Sequence, residues 1–461
     1  MKNIYKLLTL TALIAMLISC RKTEELNVDY SAFNADNPTT NTPLDQWLKS
    51  SFLDPYNIEV VYRYNRYYHG NSANVTPTKL ENIQPTMQIV LDGFINPYLK
   101  VAGPTFTKKY MPKEWVLFGS YSYDDANADG VAGTAAAGRR ITLYGVNDYQ
   151  PLPSGQFYAW DRHRIMHHEF GHILNQIIPI PTDFEAISKG FYKQPYRETS
   201  TETAHANGFV TAYASGVSTE DYAETISWSL INGQAWYDYW AATASDEGKV
   251  RLNLKQQNII NYYKNLGIDF KALQKEVQLY MRNTLDLRES KFPYWLSQKM
   301  TMTIDNSSLV SVNYGVSSAF SSVYNTIRTN VNAIPGYGFT FNNIRINFTT
   351  PTTANLEISF NQGSGSYLAN FGLTMTLNQT TGEVKFGNGV AGGTTAPWVG
   401  NANIVKSAIQ PMLDYLTAST TIFIADWMPT GITADNFMKY GGLYVKGAPT
   451  NYFYGSLVFN R

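Results

Sequence analysis

His168 and His172 stand four residues apart, with Glu169 directly after the first. On a helix that spacing puts two imidazoles on one face, about 6 Å apart along the axis, where both can reach a single zinc ion. A glutamate beside the first histidine can then address a water on the metal without being a ligand. No thiolate site can be built, because Cys20 is the only cysteine. Any metal must therefore be held by histidine and carboxylate. Four of the six histidines, His163, His167, His168 and His172, fall within ten residues. His163 and His167 repeat the spacing of four, but Arg164 occupies the place of the base. They read as supporting or surface residues.

A catalytic zinc usually takes three protein ligands. The extended pattern that adds a glycine and a third histidine is missing, since positions 175 and 178 are Asn175 and Ile178. Residues 218–230 offer a different completion. They read as a helix capped by Ser218, with Glu220 and Glu224 four apart on one face. One carboxylate can go to the metal and the other can orient a ligand histidine. Two glutamates at this spacing are often only a solvated face. Here Tyr222, Ala223, Ile226, Trp228 and Leu230 surround them, so the helix is expected to be largely buried, and buried carboxylates need partners. Asp221 points about 100° away on the same helix.

The elements that must position these groups can be read from periodicity. Residues 162–178 form the first helix, with Asp161 as its expected N-cap and Pro179 as its stop. Met166, Phe170, Ile173 and Ile177 face the core. Extended runs at 58–62, 115–118 and 141–144, with a helical stretch near 87–95, predict a small sheet beside that helix. The last strand of such a sheet offers an edge to which a substrate backbone can add. Helical patterns at 256–266 and 270–287 close this part near residue 300. Beyond it, residues 344–348, 356–360 and 373–377 alternate at the strand period. The last turns through Thr381-Gly382 into 383–386 as a hairpin. Helices are expected near 317–333 and 404–416. The class is α+β. A chain of 461 residues exceeds one ordinary domain, and the boundaries predicted are 46–300 for the metal-bearing domain and 301–461 for a β-rich accessory domain.

At the N-terminus Lys2 and Lys6 precede an apolar run over residues 7–18, a signal peptide by charge and length and too short to span a membrane. It ends in Leu17-Ile18-Ser19-Cys20, which looks like a lipobox and implies lipidation of Cys20 after a leader of residues 1–19. The Arg21-Lys22-Thr23-Glu24-Glu25 stretch resembles the surface-export signal of Bacteroidetes lipoproteins. Residues 20–45 read as the lipidated N-terminus and its tether. Lysine plus arginine balances aspartate plus glutamate at 36 each, so nothing points to a nucleic-acid partner. Lipid at one terminus supplies the membrane attachment.

Thr211-Ala212-Tyr213, with Tyr213 seven residues before Glu220, and Glu220-Asp221-Tyr222-Ala223-Glu224 resemble the gluzincin arrangement of the anthrax lethal factor catalytic domain. The resemblance implies His168, His172 and Glu220 as zinc ligands and Glu169 as general base. It further implies Tyr213 as an oxyanion donor and Glu224 as the carboxylate behind a ligand histidine. With the lipobox, the chain is similar to the substrate import-associated zinc metallohydrolase lipoproteins of Bacteroidetes. That implies a peptidase acting on extracellular polypeptides or glycoproteins, at the outer membrane and on the cell surface, alongside a TonB-dependent transporter. The alternative is a non-catalytic substrate-binding lipoprotein of the same import system. Two further features stand apart. His205 could line the cleft. Asp125, Asn127 and Asp129 match the start of a calcium loop whose twelfth position is Ala136 rather than glutamate; a plain turn is the preferred reading and a bound Ca2+ ion the alternative.

Overall fold

The computed structural model describes residues 41–461 except 71, 125–126, 137 and 429–432, with backbone alone at 124 and 127–129. The leader, Cys20, the tether to residue 40 and Asp125 lie outside the described residues. Pro43–Leu48 is a short helix closed by a capping box, in which the Asp45 amide donates to Thr42 Oγ1 at 3.2 Å.

Residues 50–461 form one unit. Its first layer is a four-stranded sheet in the order β1 (Glu59–Val61), β2 (Glu114–Leu117), β6 (Arg140–Leu143), β5 (Gly133–Ala136). The first three strands run parallel and β5 closes the edge antiparallel to β6. Trp115, Val116, Leu117, Ile141 and Leu143 are buried, as expected of parallel strands covered by helices. The crossover from β1 to β2 is made by α1 (Leu80–Val90) and α2 (Asn96–Tyr110), joined by a π-helical turn at Leu91–Ile95. Two short strands, β3 (Ser122–Asp124) and β4 (Asn127–Val131), pair antiparallel. Asn127 thus lies opposite Asp124, and Asn127 and Asp129 sit on a strand rather than in a loop.

The metal-bearing helix α3 spans Gln156–Ile177. It begins earlier than the Asp161 cap predicted. Gly155 leads into it without a side-chain cap, and Asp161 instead accepts from Arg164 at 2.8 Å. Pro179 ends it as expected, with Ile178 already extended at φ −129°. Gly133 lets β5 close onto α3: a Cβ there would sit 2.3 Å from Ile165 Cγ2.

The second site helix, α4 (Ser218–Thr243), starts from Val217 with no side-chain cap, so Ser218 is its first residue rather than its cap. It also runs past residue 230, where the sequence pattern ended it. Gly233 breaks it internally at φ +80°, a conformation open to glycine. A Cβ there would also lie 2.6 Å from Met438 Sδ. The break leaves carbonyls without their helical donors. Gln274 Nε2 donates to Ser229 O at 2.7 Å and Gln278 Nε2 to Leu230 O at 2.8 Å. Both glutamines come from α6 (Phe270–Asn283), which follows α5 (Asp246–Asn265).

From β7 (Met300–Ile304) onward the chain builds a closed eight-stranded barrel. Its other strands are β8 (Phe339–Thr350), β9 (Thr353–Gln362), β10 (Gly365–Asn378), β11 (Glu383–Asn388), β12 (Phe423–Trp427), β13 (Tyr440–Val445) and β14 (Ala448–Phe459). The alternating runs of the sequence are these strands, and the Thr381-Gly382 turn joins β10 to β11. Closure comes from β7, which pairs with β14 on one side and β8 on the other. Two helices, α7 (Ser318–Asn332) and α8 (Asn401–Thr417), put Tyr324, Ile327, Ile409 and Met412 into the barrel's core. The barrel meets the helical layer directly: Arg282 of α6 pairs with Asp426 at 2.8 Å, and Tyr239 of α4 packs edge-on against Phe459. Among the described residues no helix is long and apolar enough to cross a membrane.

Candidate metal centre

Helix α3 presents His168 and His172 one turn apart, and α4 lies against it with Glu220 in its first turn. Gly171 makes the approach close, since a Cβ there would already touch Ala223 of α4 at 3.4–3.5 Å. Three donor atoms converge as a result. His172 Nε2 lies 3.1 Å from His168 Nε2, and Glu220 Oε2 lies 3.2 Å from each. Zinc held by imidazole and carboxylate at about 2.0–2.1 Å with tetrahedral angles keeps its donors roughly 3.3 Å apart. Two nitrogens and one carboxylate oxygen are a donor set of the catalytic zinc type. His168, His172 and Glu220 together form a group able to hold a metal ion.

The ligands are held from behind. His168 Nδ1 lies 2.8 Å from Glu224 Oε1, which fixes the ring and turns Nε2 toward the centre. Glu224 is itself buried and accepts from Thr211 Oγ1 at 2.8 Å and Trp228 Nε1 at 3.1 Å. Neither donor was singled out for this part from the sequence. Trp228 could have been found by its i+4 spacing from Glu224 on the same helix; Thr211, across a loop, carried no such signal. Arg164 adds positive charge 3.9 Å from Glu224.

Electrostatically the site favours a cation. Burial alone would depress His168, but its bonds to Glu220 and Glu224 outweigh that and push the imidazole up to about 10. Burial likewise opposes the charge on Glu220, yet the two histidines hold its carboxyl far below the usual range. Glu224 is lowered in the same way by His168 and Arg164. A proton stabilised between these carboxylates marks a place where a metal ion would be stabilised too.

Glu169 lies beside the triad and shares a cleft of about 580 Å³ with His172, Glu220, Ala135, Asn175 and Pro181. Burial pushes its carboxyl up, partly offset by the two histidines, and the Ala135 amide of β5 donates to it. A basic carboxylate opening on a cleft is suited to take a proton. The edge strand β5 forms part of the same wall. Tyr213, in a single 3-10 turn at Tyr213–Ser215, is partly exposed, with its ring 6.0 Å from that of His168. Burial and its hydrogen bond to Glu220 raise its hydroxyl above the usual phenol value, so it stays protonated and can donate.

Asp221, next to Glu220, is turned inward and fully buried. Lys255 Nζ approaches it at 2.7 Å and Tyr192 donates to it at 2.9 Å. This pair locks the first turn of α4. Lys255→Met is expected to leave an uncompensated buried charge and cost about 3–5 kcal/mol of stability, read as a lowered midpoint in denaturant; an unchanged midpoint would remove the pair from this part.

The remaining histidines lie elsewhere. His163 and His167 are fully buried in the core, neither on the surface nor behind the ligands. His163 Nδ1 donates to Ala159 O at 2.7 Å, and His167 packs against Phe94 and Tyr98. Burial lowers the pKa of both, His163 to about 4. His205 does not line the cleft. It stacks on Trp240 and bonds its carbonyl at 2.8 Å.

Compared with known proteins, residues 37–271 match a family model described as "Putative zinc-binding metallo-peptidase". A crystal structure from Bacteroides caccae that carries the same description is 26% identical, covering 53% of this chain and 94% of that one at a TM-score of 0.44. No curated protein matches.

Proposed function

The chain belongs to the zinc-binding metallo-peptidase family whose model spans its residues 37–271, and on that premise we propose that it is a zinc-dependent peptidase of gluzincin type. The observation that carries the reading is the convergence of His168 Nε2, His172 Nε2 and Glu220 Oε2 at 3.1–3.2 Å beside a buried glutamate in an open cleft.

His168, His172 and Glu220 would hold the zinc. When bound, zinc supplies Lewis acidity that polarises a scissile carbonyl and acidifies water. The chain's own residues divide the remaining work. A substrate backbone aligned along the β5 edge places its carbonyl over the site. Glu169, made more basic by burial, takes the proton from the attacking water and returns it to the leaving amine. Tyr213 donates its hydroxyl proton toward the oxygen that gains negative charge. Glu224 keeps the His168 ring in register. The presence of Glu169 together with all three ligands favours this over the non-catalytic binding lipoprotein.

The test is chelation and reconstitution. The purified protein should cleave denatured polypeptide, lose that activity to a zinc chelator, and recover it with one equivalent of zinc. Full activity in metal-free protein would overturn the proposal. Tyr213→Phe is expected to keep its zinc and lower kcat by roughly 10²-fold with little change in KM, since the hydroxyl acts on charge that develops in the transition state. A change confined to KM would make the tyrosine a substrate contact.

The reading extends to location. Cys20 in its lipobox-like setting and the charged stretch after it support an outer-membrane lipoprotein facing outward, with extracellular polypeptides or glycoproteins as substrates and a TonB-dependent transporter taking up the products. Cys20→Ala should move the protein out of the membrane fraction, and protease shaving of intact cells should degrade the wild type. Resistance to shaving with membrane attachment kept would put it on the periplasmic side.

A further inference from the structure

The cleft at the metal centre carries charge of one sign. Three carboxylates line it, those of Glu169, Glu185 and Glu220, and no lysine or arginine does. Its other polar walls are amides and hydroxyls, which are neutral, and His172, which is neutral when it ligates a metal. Glu169 and Glu220 belong to the metal centre, where a divalent ion offsets two negative charges. The charge of Glu185 is left over.

Glu185 stands on a short helix, Thr182–Ile187, that follows α3 after a four-residue connection. It is exposed. Among the described residues its carboxylate makes no ion pair and no hydrogen bond. The connection itself forms another part of the cleft wall, through Pro179, Ile180 and Pro181. Its two prolines have no amide N–H, so this wall offers carbon surface and few donors. One cleft of about 580 Å³ therefore combines an apolar wall, an unpaired carboxylate and the metal centre.

A side chain that suits such a cleft has a hydrocarbon stem and a cationic head. Lysine and arginine are built that way. An acidic side chain would meet like charge there, and an aliphatic one would cover the Glu185 carboxylate without answering it. We propose that Glu185 selects a lysyl or arginyl side chain of the polypeptide substrate near the scissile bond, with its stem along Pro179–Pro181 and its cation paired with the Glu185 carboxylate. This rests on the peptidase reading of the metal centre and adds to it a class of substrate.

The experiment gives the zinc-loaded full-length protein a synthetic peptide library and reads the cleavage sites by mass spectrometry. Lysine and arginine should be enriched at one position near the cut. Matched peptides with lysine, norleucine or glutamate at that position should then rank in that order in kcat/KM. Lysine should exceed norleucine, which keeps the stem and lacks the charge, by roughly tenfold. Glu185→Gln should close that gap with zinc content and thermal midpoint unchanged, and Glu185→Lys should move glutamate ahead of lysine. N-acetylated peptides separate a side-chain cation from a terminal amine, and the lysine preference should survive acetylation. Equal rates for lysine and norleucine overturn the proposal. So does a lysine preference that outlives Glu185→Gln, or cleavage that acetylation of the N-terminus abolishes. If no peptide is cut, the peptidase reading fails by itself, and the same peptides are titrated against the zinc-loaded protein. Tighter binding of the lysine peptide that Glu185→Gln removes then upholds the selection by Glu185, and equal binding overturns it.

Discussion

Glu169→Gln should retain a full complement of zinc and lose about 10²–10⁴-fold in turnover. The three donor atoms belong to His168, His172 and Glu220, so the amide leaves the ligand set untouched. What it removes is the ability to accept a proton. Glu169 is the group in the cleft prepared to do so. Burial raises its affinity for a proton, an effect partly offset by the neighbouring histidines and the Ala135 amide. Metal content and peptide turnover should be measured on the same sample. Turnover that survives with zinc bound would take the general-base part away from Glu169.

Glu220→Ala should lose zinc outright, whereas Glu224→Ala should weaken zinc binding by roughly 10–100-fold. The two carboxylates sit one turn apart on α4 but face different atoms of the same imidazole. Glu220 Oε2 is 3.2 Å from Nε2 of both histidines, and Glu224 Oε1 is 2.8 Å from Nδ1 of His168. Removing Glu220 leaves two histidines, too few for a tight site. Removing Glu224 leaves the ligands in place with one ring less firmly aimed. It also strands the Thr211 hydroxyl and the Trp228 N–H that Glu224 accepts from. Zinc titration of both variants decides the order, and the reverse order would exchange their parts.

How much of this could be read from the chain depends on how local each signal is. His168, Glu169 and His172 were legible because a helix repeats every 3.6 residues, and Glu220 with Glu224 for the same reason. The same periodicity misled at His163 and His167. Spacing says which residues share a face, but what covers that face is a long-range fact. The π-helical turn at Leu91–Ile95 covers this one, with Gly93 so close that a Cβ would fall 1.8 Å from His163 Nε2. Alternation identified the strands of the C-terminal half but not their closure, because β7 pairs with β14 across most of that half of the chain. Helix limits failed where the deciding contact was distant. The α4 pattern weakens at residue 230, yet the helix continues through Gly233 because Gln274 and Gln278 satisfy the carbonyls that the break releases. His205 could not be placed from sequence at all, since its partner Trp240 lies on another helix.

His168, His172 and Glu220 are expected to form a zinc centre. Anomalous diffraction at the zinc absorption edge from zinc-loaded crystals tests it most directly. A single strong peak is expected about 2.0–2.1 Å from the Nε2 atoms of His168 and His172 and about 2.0–2.2 Å from a carboxylate oxygen of Glu220. A peak bound to Glu224 or to any other set of residues, or no peak in protein that carries one zinc per chain in solution, would contradict it.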